Sequence, residues 1–168
     1  MLPFEPPKII LFLQRRSATG YGLILPSNVE TARRSGDKKE KPRVLIVEDD
    51  AMIAWDMSLS LEAAGFQVCG IVSNGAAALE RAHEAGPDVV LMDVNLKEGM
   101  DGIETARAIR ERRADTPIIF VTGFGDPETS ARIREINPNG YLLKPVMPEE
   151  LEAAIIRALE TGADHDDG

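Results

Sequence analysis

Short strand-like runs alternate with longer segments of helical periodicity five times between residues 43 and 160. The strand-like runs lie at residues 44–47, 67–72, 89–92, 118–121 and 140–143. Each is followed by a segment in which apolar residues recur every three or four positions, as they do along one face of a helix. Repeated strand–helix units fold into a parallel sheet that is covered by helices on both faces. The alternation therefore predicts an α/β fold.

The number of units also restricts the order of the strands. Connections between parallel strands are right-handed, which for five units favours a doubly wound, flavodoxin-like sheet with the strand order 2-1-3-4-5. Strands 1 and 3 are then neighbours at the point where the winding reverses. Ligands of open α/β sheets bind at the carboxyl ends of the strands at this point. The sequence therefore predicts a functional crevice built from the residues that directly follow strands 1 and 3.

The helices have recognisable starts and predicted buried faces. Capping acids or prolines mark four of their N-termini, at Asp50, Asp101, Asp126-Pro127 and Pro148. The first helix ends at Gly65, and its predicted buried face consists of Ile53, Met57, Leu61 and Ala64. The arginines of the third helix are expected to point largely outward, namely Arg107, Arg110, Arg112 and Arg113.

Polar residues suited to phosphate chemistry stand at the ends of four strands. The acids Glu48 and Asp49 follow the first strand, and Asp93 follows the third. Thr122 ends the fourth strand, and Lys144 follows the fifth. All these ends lie on one side of a parallel sheet, so residues far apart in sequence converge there. Acids for a metal ion, an acid that can attack phosphorus, and a hydroxyl and an ammonium group for its oxygens together predict a phosphoryl-transfer site.

The acids predict that the metal is Mg²⁺, which prefers oxygen ligands and keeps several waters. Asp49 and Asp93 can supply carboxylates, Glu48 can hold a metal-bound water, and the Asn95 carbonyl can complete the protein's share. Clustered acids repel one another unless a cation lies among them. The alternative is a helix N-terminus enriched in acids, which the helix dipole favours. That alternative explains Asp50 better than it explains Glu48 and Asp49.

Asp93 is the predicted nucleophile, because a carboxylate in a loop after an apolar strand can attack phosphorus covalently. A capping role is the alternative for this residue, but Asp101 is better placed for it. Lys144 would balance the phosphoryl charge as a point charge, and its bond to Pro145 is a candidate cis peptide. Thr122 taken alone could equally be an ordinary β-branched strand residue.

Charge and composition bound the organisation of the chain. The net charge is −9, and the negative charge is concentrated after residue 42, which argues against a direct nucleic-acid interface. The one cysteine, Cys69, permits no internal disulfide, and no apolar stretch reaches the length of a membrane span, so a cytoplasmic protein is expected. We expect an irregular extension and linker at 1–42, one domain at 43–160 and a disordered acidic tail at 161–168.

Together these motifs resemble the receiver domain of two-component response regulators, of the CheY-like superfamily, over residues 43–160. By resemblance, Glu48 and Asp49 are the acidic pair of that family and Asp93 is its phospho-accepting aspartate. Asn95 stands where the carbonyl that binds Mg²⁺ lies. Thr122, Tyr141 and Lys144 resemble, in that order, the switch hydroxyl, the switch aromatic residue and the lysine that precedes a proline.

The resemblance implies a bacterial phosphoprotein that takes a phosphoryl group from a histidine kinase or a histidine phosphotransfer protein. It implies a stand-alone receiver without a separate output domain, which acts through an unknown downstream protein and has no enzymatic turnover beyond self-phosphorylation and self-dephosphorylation. The fourth helix, fifth strand and fifth helix are the expected partner surface and a possible homodimer interface. The alternative is a phosphohydrolase of the haloacid-dehalogenase type, which Asn95 disfavours because that class has a second aspartate two residues after the nucleophile.

Overall fold

The structure, a computed structural model, describes residues 40–123 and 126–163. It contains five strands and five helices in strict alternation. The strands are β1 (Arg43–Val47), β2 (Gln67–Val72), β3 (Val89–Met92), β4 (Ile118–Thr122) and β5 (Gly140–Leu143). The helices are α1 (Ala51–Ala63), α2 (Gly75–Ala85), α3 (Gly102–Arg112), α4 (Pro127–Glu135) and α5 (Pro148–Ala163). The predicted segmentation into five strand–helix units is confirmed.

All five strands form one sheet in the order β2-β1-β3-β4-β5, and every pairing is parallel. The three central strands are buried on both faces, because helices cover both sides of the sheet. That environment explains their unbroken apolar sequences, which differ from the alternating pattern of half-exposed strands. The predicted α/β fold and strand order are confirmed.

Successive side chains of the three central strands enter two separate apolar cores. On β1, Leu45 and Val47 pack with α2 and α3, whereas Val44 and Ile46 pack with α1 and α5. Both cores are well excluded from water, and Phe120 is the largest side chain that is fully buried. The two cores fix the sheet between its helical layers and hold the carboxyl ends of the strands in place.

Side-chain caps begin the helices where the sequence predicts them. Asp50 caps α1, Asp126 caps α4 with Pro127 in the first turn, and Asp101 forms a complete capping box with Glu104 at α3. Such caps satisfy backbone N–H groups that have no partner inside the helix, and each contributes about 1 kcal/mol. After α1, Gly65 has a φ of +96°, a conformation that glycine adopts without strain.

Three local predictions are wrong in part. On α1, Met57 and Leu61 are buried as predicted, but Ala54 and Ser58 complete the buried face and Ile53 is exposed. Apolar residues occur on all sides of this helix, so periodicity cannot select its inner face. Three of the four arginines of the third helix are exposed as predicted, but Arg110 is half-buried because the chain after α4 folds over its guanidinium group. The last helix continues to Ala163, past the predicted boundary at 160, and Thr161 Oγ1 donates to carbonyl groups of the preceding turn.

The predictions for the two ends of the chain fall mostly outside the described residues. This applies to residues 1–39 of the predicted extension and to residues 164–168 of the predicted tail. Residues 40–42, at the end of the predicted linker, have neither helical nor strand structure. Among the described helices, none combines the length and the apolar character that a membrane span requires.

Candidate functional site

The register of the sheet brings the predicted site residues to one edge. Val47 pairs with Met92, so the residues that follow them, Glu48 and Asp93, emerge side by side. Main-chain hydrogen bonds hold this arrangement just past the strand ends, from Asp93 N to the Val47 carbonyl (2.8 Å) and from Glu48 N to the Val72 carbonyl (2.9 Å). The residues that follow β1 and β3 therefore converge at one edge of the sheet, as the strand ends in the sequence predict.

Three carboxylates gather at this edge. Glu48, Asp49 and Asp93 each present one oxygen atom, and these atoms lie within 4.8 Å of one another. Glu48 and Asp93 are buried, with 2% and 5% of their surface exposed. Buried acids this close together require compensating positive charge or hydrogen bonds.

Lys144 supplies part of that compensation. Its Nζ donates to Glu48 Oε2 (2.5 Å) and to Asp93 Oδ2 (2.8 Å), so one ammonium group bridges the ends of β1, β3 and β5. The backbone N–H of Lys144 also donates to the Thr122 carbonyl at 2.9 Å. The Lys144–Pro145 peptide bond is cis, as expected. The side chain is 16% exposed, so both ion pairs lie largely out of water.

Burial and charge shift the protonation equilibria of this pair. Burial, only partly offset by the hydrogen bond from Lys144, raises the pKa of Glu48, and the negative charge of Asp93 acts in the same direction. Burial alone would lower the pKa of Lys144, but its hydrogen bonds to Asp93 and Glu48 outweigh that effect and raise the pKa. Lys144 is therefore held in its charged form between two acids.

The loop after β3 encloses Asp93 from the other side. Asn95 N donates to Asp93 Oδ1 at 3.2 Å, and Gly102 N donates to the Val94 carbonyl at 2.9 Å. The backbone of Gly102 passes so close that a Cβ atom on it would lie 1.9 Å from the Asp93 carbonyl oxygen. Only glycine fits at position 102, because any side chain would clash with the Asp93 backbone and prevent the start of α3 from packing against it.

Asp49 has a different cation beside it. Lys97 Nζ lies 2.6 Å from Asp49 Oδ2, an oxygen that is buried but receives no hydrogen bond of acceptable angle from any described residue. The contact is therefore an ion pair whose donor is poorly aligned. The short contact with the Asp49 carboxylate and its negative charge raise the pKa of Lys97, although the lysine side chain itself extends into solvent.

The remaining predicted residues lie around this cluster. Thr122 is fully buried at the end of β4. Tyr141 is on the edge strand β5 with 38% of its surface exposed, and Asn95 is exposed in the loop after Asp93. The structure thus brings Glu48, Asp49, Asp93 and Lys144 into direct proximity, while the switch roles predicted for Thr122 and Tyr141 stay predictions.

Comparison with known proteins identifies the family of this fold and site. Residues 44–156 match the response regulator receiver domain. The chain belongs to the response regulator receiver family. The matched residues include all three acids of the cluster and Lys144, so the crevice described above lies within the receiver domain.

Relatives and solved structures agree with this assignment. The receiver is 39% identical over 120 residues to the uncharacterized transcriptional regulatory protein YkoG of Bacillus subtilis, covering 71% of this chain and 52% of that protein. It is 36% identical over 113 residues to the transcriptional regulatory protein PdtaR of Mycobacterium tuberculosis, covering 67% and 54%. The chain therefore spans about half the length of these curated relatives.

Among solved structures, the receiver resembles the signal receiver domain of a modulated diguanylate cyclase from Desulfovibrio desulfuricans G20. The TM-score is 0.72 at 37% identity, covering 76% of this chain and 100% of that one. A CheY-like receiver domain protein from Methanospirillum hungatei JF-1 gives a TM-score of 0.69 at 26% identity, covering 74% and 98%.

The donor set of the receiver fits a magnesium ion. Three carboxylates supply hard oxygen atoms at short separations, which suits Mg²⁺ and not a softer metal. Asp49 Oδ2 is a buried oxygen that lacks a well-aligned donor, and a cation would satisfy it. The three carboxylates face two ammonium groups, those of Lys97 and Lys144, so the cluster retains excess negative charge.

Sequence reasoning missed two residues of this site. The close approach of Gly102 had only the Asp101-Gly102 dipeptide as a signal, which reads equally well as a helix start. The sequence contains no signal for Lys97, because a lysine in a polar loop is ordinarily solvated. Both become visible only when the loop after β3 is placed over the ends of β1 and β3.

Proposed function

We propose that this receiver accepts a phosphoryl group on Asp93 from the phosphohistidine of a histidine kinase or a histidine phosphotransfer protein, in a Mg²⁺-dependent reaction. The observation that carries the proposal is the position of the Asp93 carboxylate. It lies among two other acids, and Lys144 Nζ is hydrogen-bonded to it at 2.8 Å. A carboxylate with an ammonium group hydrogen-bonded to it is suited to accept a negatively charged group, because the cation offsets the added charge.

The carboxylates of Glu48, Asp49 and Asp93 are the residues that would hold Mg²⁺, and the Asn95 carbonyl is the further ligand predicted from the sequence. When bound, the ion supplies positive charge that offsets the charge of the phosphoryl oxygens during transfer. The acids that surround Asp93 would otherwise repel the incoming group, which is the reason to expect a strict requirement for the metal.

Transfer needs little covalent chemistry from the protein. An oxygen of the Asp93 carboxylate attacks phosphorus, the O–P bond forms, the bond from phosphorus to the histidine nitrogen breaks, and the imidazole leaves with that electron pair. Catalysis then consists of positioning and of electrostatic stabilisation. Backbone contacts with Asn95 and Gly102 fix the position of Asp93, and Lys144 stabilises the added charge.

Lys144 can contact a phosphoryl group on Asp93 and still keep its ion pair with Glu48. In the unphosphorylated protein it is shared between Glu48 and Asp93, at 2.5 and 2.8 Å. When Asp93 becomes an acyl phosphate, the ammonium group can turn to a phosphoryl oxygen while Glu48 still holds it. Thr122, at the end of the neighbouring strand, is the hydroxyl proposed to approach the same group.

We further propose that the change is read on the surface formed by α4, β5 and α5. This surface carries exposed apolar side chains, Tyr141 and Leu143 on β5 and Met147 after it. Phosphorylation adds about two negative charges, enough to bias an element that has two packings of similar energy. A downstream protein, or a second copy of the chain, would bind here. Action without a separate output domain stays a prediction, because the relatives named above are longer proteins.

Phosphorylation of purified protein tests the proposal. Acetyl phosphate with Mg²⁺ should add one acid-labile group of about 80 Da to the wild type and none to Asp93→Asn. Asp56→Asn is the matched control, because Asp56 is an exposed aspartate on α1, and it should react like the wild type. Equal modification of Asp93→Asn would refute the assignment. Steady release of phosphate from small esters, in place of a single stoichiometric event, would favour the phosphohydrolase alternative.

A further inference from the structure

Lys97 is an exposed lysine whose ammonium group is nevertheless held against a buried carboxylate. Its side chain is 78% exposed, yet its Nζ lies 2.6 Å from a carboxylate oxygen of Asp49, whose side chain is only 11% exposed. Holding a long lysine in one conformation costs rotamer entropy, so exposed lysines ordinarily remain solvated. The contact therefore requires a specific attraction, and the acid cluster provides it.

The two lysines of the site form ion pairs with different acids. Lys144 lies between Glu48 and Asp93, while Lys97 is paired with Asp49. Other exposed ion pairs of the described residues differ from this one. In both Arg81–Glu84 and Arg107–Glu135, the two side chains are at least 43% exposed. In the Lys97–Asp49 pair, the acid belongs to a buried cluster and the cation reaches it from solvent.

We propose that Lys97 is a removable internal counter-ion that occupies the cation position at Asp49 and sets the magnesium affinity of the site. Asp49 Oδ2 is in contact with the ammonium group, and the carboxylate to which it belongs is one of the three that converge within 4.8 Å. A Mg²⁺ ion bound among the three acids and the ammonium group of Lys97 compete for the negative charge of this one carboxylate. Under this proposal, entry of Mg²⁺ displaces Lys97 into solvent. This inference rests on the proposed function, because it takes Mg²⁺ as the ion of the site.

The position of Lys97 also explains how displacement can be easy. The residue lies in the loop between β3 and α3, four residues after Asp93, and its side chain is largely exposed to solvent. The ammonium group can therefore leave without disturbing the fold. In the metal-free protein it lowers the repulsion among the acids, and in the metal-bound protein the ion takes over that task.

Magnesium titration by calorimetry tests the inference. Lys97→Met should bind Mg²⁺ about three-fold more tightly than the wild type, a small change that is typical of an ion pair with one exposed partner. Lys97→Arg keeps the charge and should therefore retain the wild-type affinity. Lys41→Met is the matched control, because it removes an exposed lysine that precedes β1 at the opposite end of the sheet.

Side-chain relaxation of Lys97, measured by NMR, provides a readout that does not depend on metal affinity. The lysine terminus should be ordered in the metal-free protein and become mobile when Mg²⁺ is added. A terminus that is equally mobile in both states, or equal affinity of the wild type and Lys97→Met, would overturn the inference while leaving the proposed function intact. Absence of Mg²⁺ binding in the wild type would overturn the metal assignment, and this inference with it.

Discussion

Replacing Lys144 by methionine isolates the ammonium group that bridges the crevice. The substitution keeps much of the apolar stem but leaves Glu48 Oε2 and Asp93 Oδ2 without their common donor. Removing one partner of a buried ion pair costs about 3–5 kcal/mol. Because Lys144 is 16% exposed, water can partly replace it, and we expect the lower end of that range, about 3 kcal/mol at pH 7 without metal.

The loss should depend on pH in a defined direction. The pKa of Glu48 is raised in the folded protein, so the folded state binds this proton more tightly than the unfolded chain does. Stability from this group is therefore fully present below its ordinary value of 4.5 and is lost as the pH rises through the folded pKa. Without Lys144 the folded pKa rises further. The difference in stability between variant and wild type should therefore shrink as the pH falls from 7 to 5.

Urea unfolding at the two pH values measures both effects. With a slope of about 2 kcal/mol per molar urea, the midpoint of Lys144→Met should fall by about 1.5 M at pH 7. Added Mg²⁺ should recover part of the loss, because a cation again lies among the acids. Lys41→Met is the control for removal of a positive charge outside the crevice. An unchanged midpoint at pH 7, or a loss of equal size at both pH values, would refute this account of the charge balance.

Two further predictions concern the surroundings of Asp93. Gly102→Ala should destabilise the protein by about 2–3 kcal/mol and slow phosphorylation of Asp93, because a Cβ atom would meet the Asp93 carbonyl oxygen, which belongs to backbone that cannot turn away. Gly123→Ala is the matched control, since no described residue apart from its chain neighbours lies within 4 Å of its Cβ position, and unfolding of both variants in urea would test the contrast. Amide exchange with and without beryllofluoride should change more in α4 and β5 than in α2, and changes confined to the loop after β3 would contradict a readout on the α4, β5 and α5 surface.

The sequence predicts those features that depend on strand ends and misses those that depend on loops folding back. Apolar runs buried on both faces leave little freedom in the placement of β1, β3 and β4, so Glu48 and Asp93 could be assigned to one crevice. Lys97 could not be assigned, because a flexible side chain in a polar loop leaves no periodic signal. The burial of Arg110 on α3 could not be predicted either. Its spacing places it on the polar side of α3, but the chain after α4 crosses that side and accepts its hydrogen bonds.

The contacts of α4 show how a change at Asp93 can reach the proposed output surface. Among the described residues of α4, Ile133 is the one buried side chain, so apolar packing holds this helix weakly. Ion pairs with α3 add to its attachment, from Arg132 to Asp101 (2.6 Å) and from Arg107 to Glu135 (2.8 Å). Asp101 also caps α3 at the end of the loop that begins at Asp93. A phosphoryl group that shifts this loop therefore acts on the cap and on an anchor of α4 together, while the two apolar cores need not rearrange.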